Sequence, residues 1–292
     1  NGSDFWVTNP EGGVNPPYVY HFNSTGGNVT GSAGLIGGFS PRGRGVSPQN
    51  FIEGITTNGS DFWVAEGNEK YVYHFNAFGT NVTGAPGLIG GFSLSITTGG
   101  ASAANPSAIT TNGSDFWVVT GSTAREYVYH INAFGTNITG SPGLIGGFPV
   151  SKASSGIAPE GITTNGSDFW ILADTSDFVY HVNTFGDNIT GADGGFNVRK
   201  AWNATIGLIG LDTDARLNPN IPKAPNDFWI LTDGSSAGNT DYVYHFKGAI
   251  KETTSTTRHN VTIELNDNTS YYWRVKAFDG SQESAYSYGN FT

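Results

Sequence analysis

Short apolar runs separated by polar turns organise this chain. In Phe62-Trp63-Val64-Ala65 and Tyr71-Val72-Tyr73-His74-Phe75, both side-chain faces are apolar or aromatic. A half-solvated sheet would alternate apolar with polar residues, so this continuous pattern predicts strands covered on both faces. Asn58-Gly59-Ser60 and Phe78-Gly79-Thr80-Asn81 supply turn chemistry between the runs. No 3.6-residue periodicity is present, and β-branched and aromatic residues dominate, so the expected class is all-β.

The pattern recurs. Asp-Phe-Trp ends at Trp6, Trp63, Trp117, Trp170 and Trp229, with successive offsets of 57, 54, 53 and 59 residues. A second block carrying His21, His74, His130, His181 and His245 follows each copy. One unit reads as four strands: Ile55-Thr56-Thr57, Asp61 to Ala65, Tyr71 to Asn76 and Gly87 to Ser93. Sheets sandwiched between neighbouring sheets are the blades of a β-propeller, and the period is that of a long blade. A solenoid is the rival, but three reverse turns per unit are many for one coil. The expectation is a β-propeller of five or six four-stranded blades over residues 1–249, with repeats beginning near 1, 55, 109, 162 and 206. Ile209-Gly210-Leu211-Asp212 opens the last of these, and the enlarged turn from Arg216 to Pro225 is the candidate contact loop.

Glu160-Gly161-Ile162-Thr163-Thr164-Asn165-Gly166-Ser167-Asp168-Phe169-Trp170, followed by Phe178-Val179-Tyr180-His181, resembles NHL-like propeller repeats. It also resembles the tandem Ser-Asp-Phe-Trp / Val-Tyr-His repeats of secreted archaeal surface proteins. Both resemblances imply a propeller and neither implies an activity. In the tail, Leu265 to Asp279 resembles the E–F corner and F strand of a fibronectin type III domain, with Asp267 where that family usually has Pro. Residues 250–292 are too few for a whole sandwich. They are expected to form a partial fibronectin type III-like segment or a final degenerate blade.

Composition narrows the chemistry. A formal charge of -10 disfavours nucleic acid and anionic membranes as partners, and no apolar stretch is long enough to span a bilayer. With no Cys, neither disulfides nor thiolate metal sites are available. The missing Met and a first residue already inside a repeat suggest a processed or truncated product. Asn-x-Ser/Thr sequons stand at Asn1, Asn23, Asn28, Asn58, Asn81, Asn112, Asn137, Asn165, Asn188, Asn203, Asn260, Asn268 and Asn290. Chance would give about five. Turn chemistry accounts for Asn58, Asn112 and Asn165. The series Asn28, Asn81, Asn137 and Asn188, with Asn203, Asn260 and Asn268, is the candidate set for N-linked glycans. This places the chain at the cell surface or outside the cell.

No cofactor is expected. The repeated histidines would form a ring too wide to share one ion, so each is expected to hydrogen-bond between blades, with the repeated Asp as partner. Asp174, Asp177, Asp212 and Asp214 are the oxygen ligands a Ca²⁺ ion would use. Glycoside cleavage needs two flanking carboxyl groups. Glu53 and Glu160 precede innermost strands, where the third repeat has Ser107, yet only Asp212 and Asp214 clearly break the repeat. The leading expectation is therefore a glycosylated structural or adhesive surface protein and not an enzyme. It would self-associate through a tail strand, His259 to Leu265, that either closes the ring beside Asp4 to Val7 or completes a neighbouring subunit in a filament. The alternative is a carbohydrate-binding or carbohydrate-cleaving propeller. A non-repeating acidic and aromatic cluster at one channel mouth would distinguish it.

Overall fold

The computed structural model describes residues 4–9, 17–23, 25–30, 38–41, 51–84, 91–94, 105–121, 126–139, 147–153, 158–166, 168–190, 196–198, 207–213, 227–233, 242–247, 271–275 and 287–291. Among these the regular structure is β, apart from a 3-10 turn at Val150–Lys152. The second repeat forms β3 (Ile52–Thr57), β4 (Phe62–Glu66), β5 (Tyr71–Phe75) and β6 (Phe92–Ser93). The third forms β7 (Pro106–Thr111), β8 (Phe116–Thr120), β9 (Tyr127–Ile131) and β10 (Phe148–Pro149). The fourth forms β11 (Pro159–Thr164), β12 (Phe169–Ala173), β13 (Phe178–Val182) and β14 (Phe196–Asn197). Each of the three is an antiparallel meander of four strands in chain order.

The outer repeats are partial among the described residues. β1 (Phe5–Asn9) pairs with β2 (Tyr18–Phe22), and Val19 bridges to Phe39. β15 (Gly207–Thr213), β16 (Asp227–Asp233) and β17 (Tyr242–Lys247) form a three-stranded sheet. In the tail, β18 (Tyr271–Val275) and β19 (Ser287–Phe291) form a two-stranded sheet among the described residues. The first half of the tail, including His259 to Leu265, and the loop from Arg216 to Pro225 lie outside the described residues, as does Asp214.

The sheets stack face to face. The inner strands β3, β7, β11 and β15 pack side by side in chain order. Their backbones come very close: a Cβ on Gly54 would lie 2.9 Å from the Ala108 Cα. The core between sheets is aromatic. Trp6 packs on Phe62 with ring centroids 5.4 Å apart, Trp63 on Phe116 at 5.1 Å, Trp117 on Phe169 at 5.2 Å and Trp170 on Phe228 at 5.7 Å. The series returns to its start, because Trp229 meets Phe5 at 5.3 Å. Trp63, Trp117 and Trp170 are buried, whereas Trp6 and Trp229 are half-buried.

Two expectations change. The inner strand begins three residues earlier than Ile55, at Ile52, and contains a bulge: the register slips between Ile52 and Gly54, Pro106 and Ala108, Pro159 and Gly161, and Leu208 and Gly210. The histidine bond also lies within a sheet, not between sheets. Trp63 faces His74 across the ladder, so the Asp two residues before Trp63 reaches the imidazole of its own blade. His Nε2 to Asp Oδ2 distances are 2.9 Å (His21–Asp4), 2.9 Å (His74–Asp61), 3.0 Å (His130–Asp115) and 3.1 Å (His181–Asp168). Each of these imidazoles stacks on its blade's indole, at 4.4 Å and 10° for Trp170 and His181. The side chain of His245 lies outside the described residues.

Replacing Trp117 with Ala removes both its His130 stack and its Phe169 contact. The variant should lose about 3–5 kcal/mol of stability, measured by urea denaturation. Gly54→Ala should also destabilise, by about 1–3 kcal/mol, because the obstacle is backbone and cannot rotate away. A Gly54→Ala protein as stable as the parent would contradict the close inner-strand packing.

Candidate functional site

The strand registers define two ends. Thr57, Phe62 and Phe75 are level at one end, and Ile52, Glu66, Tyr71 and Ser93 at the other. The first end is repetitive. Thr57 Oγ1 donates to the Asp61 carbonyl at 2.7 Å, and Thr111 to Asp115 and Thr164 to Asp168 do so at the same distance. Asn58 Oδ1 accepts the Asp61 N–H at 2.8 Å, as Asn112 and Asn165 do for Asp115 and Asp168. The other end varies. Its turns read Gly67-Asn68-Glu69-Lys70 in one blade and Asp174-Thr175-Ser176-Asp177 in another. Function that breaks the repeat belongs at this end.

The bulges present their extra residue here. Glu53, Ser107, Glu160 and Ile209 occupy the same bulged position in four successive inner strands. Adjoining glycines make room for the side chains. A Cβ on Gly67 would lie 2.9 Å from Glu53 Oε1, and one on Gly121 would lie 2.8 Å from Ser107 Oγ. The fourth blade has Asp174 in place of that glycine. The Ser107 hydroxyl is buried and has no hydrogen-bond partner among the described residues.

Burial governs the electrostatics. Desolvation raises the Glu160 carboxyl to about 7, and the charges of Asp174 and Glu53 push in the same direction. Glu53 is raised by desolvation and then by the Glu66 charge. Glu66 is also raised by burial, but its carboxylate is occupied in holding the turn, where it accepts the N–H groups of Asn68 at 2.7 Å and Glu69 at 2.5 Å. Tyr73 donates its hydroxyl to Glu69, and burial followed by that bond raises the phenol. A carboxyl group that titrates near neutrality, as Glu160 does, can donate and accept protons, which is the requirement for general acid–base chemistry.

The other candidates do not converge. Asp212 takes the register position of Thr163, beyond the bulge and toward the repetitive end. Asp174 and Asp177 share one turn, closed by the Asp177 N–H on the Asp174 carbonyl at 3.1 Å. Among the described residues no group of three or more His, Asp or Glu is placed to hold a metal ion. The sequons Asn28, Asn81, Asn137 and Asn188 lie at the repetitive end, each accepting the N–H of the Thr two residues on at 2.8–2.9 Å. That Thr in turn accepts the histidine N–H of its blade, at 2.8 Å for Thr83 and His74. The side-chain oxygens of this series thus take part in turn bonds, as those of Asn58, Asn112 and Asn165 do. Asn203, Asn260 and Asn268 lie outside the described residues.

Neither a family model nor a curated protein matches the sequence. Solved structures resemble its fold. A virginiamycin B lyase from Staphylococcus aureus is 14% identical, with 82% of this chain and 80% of that chain covered and a TM-score of 0.42. A glutaminyl cyclase from Myxococcus xanthus is 10% identical, with 85% and 97% covered and a TM-score of 0.45. The Cps50 (Swd1) β-propeller domain of Myceliophteria thermophila is 9% identical, with 83% and 68% covered and a TM-score of 0.39. These are likenesses of fold, and they extend to propellers. They give the archaeal surface-protein resemblance no support. The expectation that the chain is not an enzyme is corrected here: structures similar in fold include a lyase and a cyclase, so the fold gives no ground for it. The physical reason is that a break in the repeated strands is not where an acidic site must show itself: the acidic residues occupy a bulge that the repeat leaves variable.

The raised carboxyls have a consequence for stability. Between the ordinary Glu value of 4.5 and about 7, folded protein holds a proton on Glu160 that unfolded chain has released. Stability contributed at this site is therefore full at low pH and falls as pH rises through that window. Glu160→Gln should flatten the fall in a series of thermal melts. A wild-type and variant pair with parallel profiles would refute the assignment.

Proposed function

We propose that the chain is a five-bladed β-propeller whose variable end binds a neutral carbohydrate, with Glu160 as the proton donor of a carbohydrate-cleaving site. The observation that carries the reading is the placement of Glu53, Ser107 and Glu160 at one bulged position in three adjacent inner strands. The return of the Trp–Phe series from Trp229 to Phe5 supports five blades. A carboxyl that titrates near neutrality, a buried hydroxyl and a second carboxyl raised by burial form a polar surface. Such a surface suits hydroxyl-rich ligands, which donate and accept in pairs. The formal charge of -10 disfavours anionic ligands. Two carboxyl groups, one raised toward neutrality, are also what glycosidic bond cleavage uses: an acid for the leaving oxygen and a carboxylate for the opposite face. The structural, adhesive and filament roles expected from the repeat have no supporting contact among the described residues.

The reading is tested by titrating neutral oligosaccharides calorimetrically, with product analysis by mass spectrometry. The parent should bind and release shortened sugars. Glu160→Gln should retain binding while turnover falls by about 10²–10⁴-fold, the usual value of one acid–base group. Binding without any turnover in the parent would reduce the site to a lectin. No binding by the parent, or variants of Glu53 and Glu160 indistinguishable from it, would overturn the placement.

Gly67→Ala gives a milder test. The obstructing group is the mobile end of Glu53, so the fold should tolerate the methyl while Glu53 moves. Binding should weaken several-fold, by roughly the 1 kcal/mol scale of one polar contact, with the thermal midpoint unchanged. An unaltered affinity would remove Glu53 from the site.

A further inference from the structure

Three phenylalanines are largely exposed at equivalent places. Phe78 is 76% exposed, Phe134 88% and Phe185 68%, each at the tip of the turn between the third and fourth strands of its blade. The turn does not need an aromatic residue. In the first blade the same turn closes around Thr25, with Asn23 N–H on the Gly27 carbonyl and Gly26 N–H on the Asn23 carbonyl, both at 2.9 Å. The corresponding bonds of the second blade are 2.9 Å (Asn76 to Thr80) and 2.8 Å (Gly79 to Asn76). Each ring leaves apolar area in contact with solvent, area that a covering group would remove from water.

Each ring has the same neighbour in sequence. Phe78-Gly79-Thr80-Asn81-Val82-Thr83, Phe134-Gly135-Thr136-Asn137-Ile138-Thr139 and Phe185-Gly186-Asp187-Asn188-Ile189-Thr190 all place a sequon Asn three residues after the Phe. The turn folds that Asn back beside the strand the Phe has just left, through the bridges Phe75↔Asn81, Ile131↔Asn137 and Val182↔Asn188. The amide is oriented, since its Oδ1 accepts the N–H of Thr83, Thr139 or Thr190. In the fourth blade Nδ2 of Asn188 also donates to the Ala153 carbonyl, and a glycosylated amide keeps one hydrogen for such a bond.

We infer that Asn81, Asn137 and Asn188 are N-glycosylation sites whose first sugar lies on the ring of Phe78, Phe134 or Phe185. The occupant of each exposed ring is thus covalently supplied by its own turn. A pyranose presents a face of weakly positive C–H groups, which matches the negative face of an aromatic ring and covers apolar area at the same time. The transfer is performed by the cell's glycosyltransferase on a lipid-linked oligosaccharide diphosphate. The amide nitrogen bonds to sugar C1, the C1–O bond to the diphosphate breaks, and one amide proton is lost as the lipid diphosphate leaves. A membrane as occupant is disfavoured by the -10 charge of the chain. This inference concerns the repetitive end and is independent of the acidic site.

The chain should be secreted from a eukaryotic host that N-glycosylates and, in parallel, made in a host lacking the transferase. Peptide mass spectrometry reads occupancy and thermal melting reads stability. Occupancy is expected at Asn81, Asn137 and Asn188, with a melting midpoint about 2–4 °C above the unglycosylated protein. The gain should vanish in the triple Phe→Leu variant, survive in the triple Phe→Tyr variant, and be unaffected by Asn28→Gln, whose turn carries Thr25. Bare asparagines at all three sites would overturn the inference. So would a gain that is absent in the parent or that persists with leucine.

Discussion

The contact between the indole of one blade and the phenyl ring of the next is the constraint on which the rest of this structure depends. It fixes the spacing of neighbouring sheets, and the tripeptide Asp-Phe-Trp supplies both halves of it. The Trp of each copy faces forward and the Phe backward, so the same three residues serve every interface from Trp6 on Phe62 to Trp229 on Phe5. Aromatic pairs of this tilted kind contribute about 0.5–1.5 kcal/mol beyond the area they bury. The Asp gives the unit internal rigidity. Its side chain bonds the histidine that stacks on the indole, so the indole is held from behind as it meets the next blade. With the sheets set this close, inner strands can meet only where a blade has Gly or Ala, as Gly54 does at Ala108.

This division of labour leaves one end of the molecule free to vary. Turns at the repetitive end are tied to the Asp and His of the core: Thr57 reaches the Asp61 carbonyl and Thr83 the His74 backbone. A change there would disturb the interface. The bulge positions carry no such burden, and their residues differ from blade to blade as Glu53, Ser107, Glu160 and Ile209. Because the sheets around them exclude water, carboxyl groups placed at these bulges bear a desolvation penalty that shifts them toward the protonated form. The scaffold that holds the blades together thus also sets the chemistry of the site.

Much of this architecture is legible in the sequence, for identifiable reasons. Phe62 to Ala65 and Tyr71 to Phe75 are apolar on both faces, and that alone predicts sheets buried between sheets. The bulge is not legible, because its signature is a residue that fails to repeat: the strand reads naturally from Gly54-Ile55-Thr56-Thr57, and Glu53 falls just outside. The variable polar residue at constant distance before the repeated strand, Glu53, Ser107 or Glu160, is legible; that the strand extends back through it as a bulge is not. Repeat spacing alone puts the histidine–aspartate bond between blades, since spacing gives proximity in the repeat but not ladder register. Asp212 stands out by breaking the pattern in composition, yet its register places it away from Glu53 and Glu160.

The central claim is that Glu53 and Glu160 share one desolvated site at the variable end. Its most direct test is a titration of the native protein selectively labelled with ¹³C at the glutamate side-chain carboxyls, followed by NMR, with Glu53→Gln and Glu160→Gln used for assignment. The account predicts that Glu160 titrates near 7, above the other glutamates, and that its midpoint falls when Glu53 is replaced by Gln. A Glu160 midpoint in the ordinary carboxylate range, near 4.5 and indifferent to Glu53, would contradict it.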